Sequence, residues 1–410
     1  MTKNYVETHL LGHRVDFYPE FIDEKTHQEL LKILKGMKVF PTNAQDLQFY
    51  NTTYEHIGES EPLDPELGCT SRYLVPNAAR TLCILPNRFD LAKHFMTYGG
   101  IDGLKENFEM LASRMQSFGR YIFDIKDYPV MENLFYSEEF IRSAKKICPI
   151  NKQVLDPFQF HFIIQIPGQT LPVHLDAQYL EHATRFQYPT WLPVVMAGSG
   201  IYQDNVIDQV QGVAYLHEWN DTSLGGHLSI YNKDNNNPDY EIPYPRGVGL
   251  MDGAKTMHAS TVFRPNDHLP ILPKNAKNEL VYQEDDDIWE LRSDDKVLNK
   301  YQTTDFRITL VYRSRCFESE EKRQRFLKWH KSGENVRPVE VVLDELKTEL
   351  VKKYGYNRES LDSISKIDLA NALTDTFLKY PLPTNAIIPL NYCALPVIFP
   401  STQIIFDWIC

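Results

Sequence analysis

His174 and Asp176 stand two residues apart in GQTLPVHLDAQ (residues 168–178), behind a Pro-Gly turn and a run with strand character. Side chains two apart on a strand share a face, so an imidazole and a carboxylate at this spacing can reach one metal ion. The chain holds 13 histidines, and at that number about one His-x-Asp is expected by chance, so the tripeptide alone says little. A metal site needs a further ligand from elsewhere. His258, in GVGLMDGAKTMHAST, follows a strand-like segment and a Gly turn, beyond the GGHLSIY hairpin. Two histidines and one carboxylate leave the far side of a metal open, which is the arrangement of oxygen-activating non-haem iron(II) sites. The other histidines compete less well. His217 and His227 flank the hairpin, where surface or core roles account for them. His161 lies on the strand before the turn and His182 follows Asp176 by six, where structural roles are expected.

Such ligands need a rigid scaffold, and the texture of the chain indicates one. From about residue 154, short runs rich in Val, Ile, Phe and Tyr alternate with Gly, Pro and Asn clusters: FQFHFIIQIPG, GVAYLHEW, GGHLSIYN, GVGLMDG and FRITLVYR. That is the pattern of an antiparallel sandwich or barrel. Upstream, RVDFYPEFIDEKTHQELLKILKG reads as a short strand, a Pro turn and an amphipathic helix with Leu30, Leu31 and Leu34 on its apolar stripe. Leu104, Phe108, Leu111 and Met115 predict a second helical region over 102–123. Beyond residue 318, Val339, Val342, Leu343, Leu346, Leu350 and Tyr354 predict a helix with Pro338 at its first turn. The expected organisation is a helical and loop region over 1–153, a β core over 154–317 and a helical segment over 318–410.

Bulk properties narrow the function. The net charge of −12 and pI of about 5.6 lean away from a nucleic-acid partner, which calls for a basic face. No window approaches the roughly 18–20 apolar residues of a membrane span. The N-terminal stretch lacks the layout of a signal peptide. The six cysteines are scattered without a CxxC pair, so reduced thiols and a cytoplasmic location are the expectation.

Four segments in order carry a family resemblance. QIPGQTLPVHLD resembles the strand, Pro-Gly turn and His-x-Asp strand of the Fe(II)/2-oxoglutarate-dependent oxygenases of the prolyl-4-hydroxylase-like and AlkB-like kind. VAYLHEWNDTSLGGHLSIY resembles their Gly-Gly hairpin, GVGLMDGAKTMHAS the strand carrying the distal histidine, and FRITLVYRSR the final strand. The N-terminal VDFYPEFIDEKTHQELLKIL is similar to the strand and helix that often open such domains, and the strong resemblance covers about residues 158–315. It implies an α+β fold with a double-stranded β-helix (jelly-roll, cupin-like) core. Fe(II), 2-oxoglutarate as co-substrate and O2 are implied as well, with His174, Asp176 and His258 as the metal ligands. Arg307 would pair with the far carboxylate of 2-oxoglutarate, a task suited to a planar guanidinium. Arg313, six residues on, faces the same way along a strand and matches an arginine of AlkB-like members.

The chain departs from the family in two places. Gln165 stands where related enzymes have a tyrosine that contacts 2-oxoglutarate, and it can still donate a hydrogen bond. The 48 residues between His258 and Arg307 exceed the family spacing, so an insertion at about 265–304 is expected, of the kind that often forms a lid or binding loop. The carboxylate at Asp176 implies hydroxylation, demethylation or desaturation rather than halogenation. A small molecule such as an amino acid or other metabolite is the first substrate class. A peptide side chain is second, an AlkB-like nucleic-acid substrate third and a non-catalytic binding module last.

Overall fold

Alternation along FQFHFIIQ decides what the longest strand buries. Phe160, Phe162 and Ile164 enter an apolar core, while His161, Ile163 and Gln165 line a cavity on the opposite face. The same two-residue period splits RITLVYR. Ile308, Leu310 and Tyr312 pack in the core, and Arg307, Thr309, Val311 and Arg313 face the cavity.

The structure is a computed structural model that describes residues 14–42, 60–70, 73–77, 79–231, 237–384, 386–406 and 410. Its framework begins with β1 (Val15–Tyr18), α1 (Glu24–Gly36), β2 (Val39–Pro41), α2 (Phe89–Tyr98) and β3 (Phe118–Ile122). Then come β4 (Val154–Gln165), β5 (Leu171–His174), α3 (Trp191–Ser199), β6 (Gln209–Tyr215), β7 (Leu228–Ile230), β8 (Asp239–Glu241), β9 (Val248–Met251) and β10 (His258–Ser260). It closes with β11 (Asn278–Gln283), β12 (Ile288–Ser293), β13 (Lys296–Tyr301), β14 (Arg307–Phe317), α4 (Val339–Tyr354) and α5 (Lys366–Phe377).

Two antiparallel sheets wall the site. The larger has six strands in the order β1-β9-β6-β14-β4-β3, and the smaller has four in the order β8-β7-β10-β5. The outer face of the larger sheet shares an apolar core with α1, whose Leu30, Leu31 and Leu34 are buried. Asp23 caps α1 by accepting a 2.9 Å hydrogen bond from the Thr26 amide. Behind the smaller sheet, Val173, Leu175 and Ala259 pack in a second core with α3, α4 and α5. Each sheet thus has a helical layer outside and the cavity inside, an arrangement that buries one apolar face per element.

Several expectations change. Helix over 102–123 is confined to Phe108–Arg114, after which β3 adds an edge strand to the larger sheet. Pro338 is the N-cap of α4 rather than a first-turn residue. The insertion is not a lid: β11, β12 and β13 form a meander whose β11 pairs with β2, and none of residues 265–304 lines the cavity. Trp289, Leu280 and Leu291 of this meander join the first core.

The cysteines also differ from expectation. Cys69 pairs with Cys83, Cys148 with Cys316, and Cys393 with Cys410. Scattered positions in sequence become neighbours because tertiary contacts join them, so the argument from spacing to reduced thiols and a cytoplasmic location loses its support. Among the described residues, no helix is long and apolar enough to cross a membrane.

Candidate active site

His174 at the end of β5 is paired in register with His258 at the start of β10, which brings their rings to 4.2 Å between centroids. His174 Nε2 lies 3.7 Å from Asp176 Oδ1. One ligand atom from each of His174, Asp176 and His258 falls within 4.8 Å of the others, and all three residues are buried. Each imidazole is oriented by the backbone two residues upstream. His174 Nδ1 is 2.7 Å from the Pro172 carbonyl and His258 Nδ1 is 2.9 Å from that of Thr256. A carbonyl only accepts, so each Nδ1 carries the proton and each Nε2 keeps its lone pair for a metal. His258 Nε2 is buried without a hydrogen-bond partner.

Electrostatics keep all three groups in ligating form. Burial, with His258 and Arg88 nearby, holds His174 well below the usual imidazole range, and burial likewise lowers His258. Burial pushes the Asp176 carboxyl up, but the guanidiniums of Arg313 and Arg88 outweigh it and keep it below the usual carboxylate range. Two neutral imidazoles and an ionised carboxylate suit a divalent metal of the iron(II) type. The turn at Gly253 seats the carboxylate: the Asp176 amide donates a 2.8 Å hydrogen bond to the Gly253 carbonyl. A Cβ at Gly253 would overlap Asp176 Oδ2 and Gln211 Oε1.

Arg307 and Arg313 sit six residues apart on β14, about 20 Å along an extended strand. Arg307 is fixed at one end of the cavity, where its Nε donates to the Gly226 carbonyl and its Nη1 to Gln165 Oε1, both at 2.8 Å. The Gly-Gly hairpin makes room for it, because a Cβ on Gly226 would come within 2.8 Å of Arg307 Cδ. Gln165 Nε2 is buried and has no partner. Arg313, at the other end, donates through Nη2 to Asp176 Oδ1 and buries an unpartnered Nε.

The other histidines are held elsewhere. His161 faces the cavity but stacks on Tyr121 with centroids 3.7 Å apart and is not among the ligand cluster. His217 stacks on Trp219, His227 faces the Thr222 carbonyl and His182 packs edge-on against Trp329.

The cavity measures about 240 Å³ and includes four residues that the sequence motifs do not flag: Arg88, Tyr121, Arg185 and Gln211. Arg88 precedes α2 and is clamped by Asp90 through Nε at 3.0 Å and Nη2 at 2.8 Å. Tyr380, beyond α5, donates a 2.6 Å hydrogen bond to the same carboxylate. Arg185 lies in the loop after Asp176 with its guanidinium carbon 5.4 Å from the Tyr121 ring centroid and 5.6 Å from that of Phe186. Gln211 follows from strand alternation on β6. The two arginines sit outside regular strands and carry no periodic signal.

No protein-family model matches the chain, and no curated protein matches it. Solved structures do. A prolyl-4-hydroxylase from Pseudomonas putida is 12% identical with a TM-score of 0.34, covering 77% of this chain and 98% of its own. A prolyl hydroxylase from Trichoplax adhaerens, in complex with a hypoxia inducible factor oxygen degradation domain peptide fragment, is 10% identical with a TM-score of 0.32, covering 78% and 91%. HygX from Streptomyces hygroscopicus, with nickel, 2-oxoglutarate and hygromycin B bound, is 8% identical with a TM-score of 0.31, covering 75% and 83%. Among solved structures, the chain is similar to 2-oxoglutarate–Fe(II) oxygenases, prolyl hydroxylases among them.

Proposed function

We propose that this chain is an Fe(II)- and 2-oxoglutarate-dependent dioxygenase with a double-stranded β-helix core over about 154–317. It hydroxylates or desaturates an unactivated C–H bond of a small molecule, with succinate and carbon dioxide as co-products. One observation carries the reading: the His174–Asp176–His258 cluster shares one cavity with the Arg307–Gln165 pair. Iron(II), with 2-oxoglutarate and O2, supplies the oxidising power for C–H cleavage.

The chain's own residues bind, orient and exclude water. His174, Asp176 and His258 would hold the metal. Arg307 offers a guanidinium to the distal carboxylate of 2-oxoglutarate, and Gln165 Nε2 adds a donor beside it. Arg313 holds the Asp176 carboxylate in place from the side away from Arg307. The apolar walls at Ile163, Val213, Leu228 and Val311 keep the space between them dry. A volume of about 240 Å³ lies just under the range of roughly 300–1,000 Å³ typical of ligand pockets, which supports a small substrate.

Anaerobic addition of Fe(II) and 2-oxoglutarate should give the weak visible charge-transfer band of the chelate, and His174→Ala should abolish it. A wild-type protein that forms no such band would overturn the reading.

A further inference from the structure

Gln211 lines the cavity and has no part in the proposed reaction. It projects from β6 at 6% exposure, and its Oε1 is buried without a hydrogen-bond partner. In register it is paired with Arg313 of β14, whose Nη2 donates to Asp176 Oδ1. Opposed residues of an antiparallel pair carry their side chains on one face with Cβ atoms about 5 Å apart, so both can reach one neighbour. The turn at Gly253 shows that Gln211 does. A Cβ at Gly253 would lie 2.5 Å from Gln211 Oε1 and 2.2 Å from Asp176 Oδ2, so the two oxygens crowd one point.

In that orientation an amide carbonyl faces a carboxylate that Arg313 and Arg88 keep ionised. Two acceptors with no proton between them repel, and burial strengthens the repulsion. A carboxamide keeps nearly the same shape when turned end for end, but one end only accepts and the other donates twice. Turned, Gln211 sets Nε2 against Asp176 Oδ2 and takes its lone pairs away from the anion. Arg313 does not need that carbonyl. Its Nε is buried without a partner, and Gln159, its partner in register on β4, keeps a buried Oε1 that has none either.

We propose that Gln211 donates a hydrogen bond to Asp176 Oδ2 and is a positioning residue for the metal site, completing from β6 the hold that Arg313 has on Oδ1 from β14. Oδ1 is the oxygen beside His174 Nε2, at 3.7 Å. With its second oxygen held as well, the carboxylate cannot turn about its own axis, and Oδ1 keeps its place beside the imidazoles. This rests on the oxygenase reading and adds to it a residue that sets how the metal is gripped.

The test adds Co(II) anaerobically to the full chain, because the visible d–d bands of that ion report the geometry of its ligands. Gln211→Met keeps the length of the side chain and removes the amide. Its Kd for Co(II) should rise about tenfold to a hundredfold, and its d–d bands should differ in position or shape from those of wild type. An unchanged Kd overturns the proposal. So does a raised Kd with unchanged bands, which marks a general loosening of the cavity. The contact itself is read without metal, by urea denaturation of Gln211→Met, Asp176→Ala and the double variant. An attractive contact makes the double variant lose less stability than the two single losses together. A loss equal to or greater than that overturns the proposal. If Gln211→Met does not fold, Gln211→Asn takes its place, with its amide one methylene short of Oδ2 and the same outcomes. Wild-type protein that takes up no Co(II) strikes the metal reading instead, and the metal-free cycle then decides the contact alone.

Discussion

The Nε2 atoms of His174 and His258 are left for a candidate metal because the opposite nitrogens are committed to the carbonyls of Pro172 and Thr256. Residues around the metal cluster therefore matter through orientation as much as through charge. Gly253→Ala would drive a methyl group into Asp176 Oδ2 and Gln211 Oε1. Metal affinity should fall about tenfold to a hundredfold, the usual effect of disturbing a ligand's support, as read by Co(II) or Fe(II) titration of the folded variant. Gln165→Glu tests the co-substrate end. The new carboxylate would pair with Arg307 and repel a dicarboxylate, so the Kd for 2-oxoglutarate should rise by about tenfold or more. An unchanged Kd would place 2-oxoglutarate elsewhere.

At the scale of elements, strand alternation does most of the positioning. β4 and β14 each present one row to the apolar core and the other to the cavity, so a one-residue slip would exchange Arg307 with Ile308 and bury a charge in the core. The meander of β11, β12 and β13 contributes on the stability side only. Trp289, fully buried against Phe40 and Phe306, should cost about 3–5 kcal/mol when truncated to Ala. Urea denaturation would measure that loss, while metal and 2-oxoglutarate affinity of the still-folded fraction stay at wild-type values. A shift in those affinities would restore the lid role that the sequence invites.

For the whole molecule, covalent links and proton linkage set the operating window. Cys148 and Cys316 join points 168 residues apart, and in the chain-entropy account closing a loop of that order is worth about 5 kcal/mol. Alkylation without reductant should find no accessible thiol, and reduction should lower the Tm by several degrees. Full labelling of the native protein by a thiol reagent would contradict this. Burial pushes His94 down to about 4 and His217 to about 3, whereas in the unfolded chain both titrate near 6.5. Between those values the unfolded state binds more protons, so stability present above pH 6.5 is lost as pH falls toward 4, at about 1.4 kcal/mol per pH unit for each histidine. Asp252 opposes this. Burial raises its carboxyl to about 7, so the folded state holds a proton that the unfolded chain releases, and its contribution falls as pH rises from about 4 to 7. Asp102, raised by burial to about 6, acts as Asp252 does, and His330, lowered by burial to about 4, joins the histidines, so three histidines against two aspartates leave a net loss toward acid. The urea midpoint should drop between pH 6.5 and 5, and a midpoint that rises there would reverse the assignment.

The main strands were legible from apolar alternation, and His174, Asp176, His258 and Arg307 were named by a family resemblance carried on four ordered motifs. Alternation along FRITLVYR and the Gly-Gly turn before β7 follow local rules, but β5 ends at His174, so Asp176 is set by the Gly253 turn and not by a shared strand face. What no local rule contains is proximity between distant segments. The three cysteine pairs, the meander docked on β2, and the approach of Arg88 and Arg185 to the cluster arise from packing across large sequence separations. His174 and Asp176 were visible as a pair. That His258 closes on them was decided by the fold, because register between β5 and β10 is a tertiary contact.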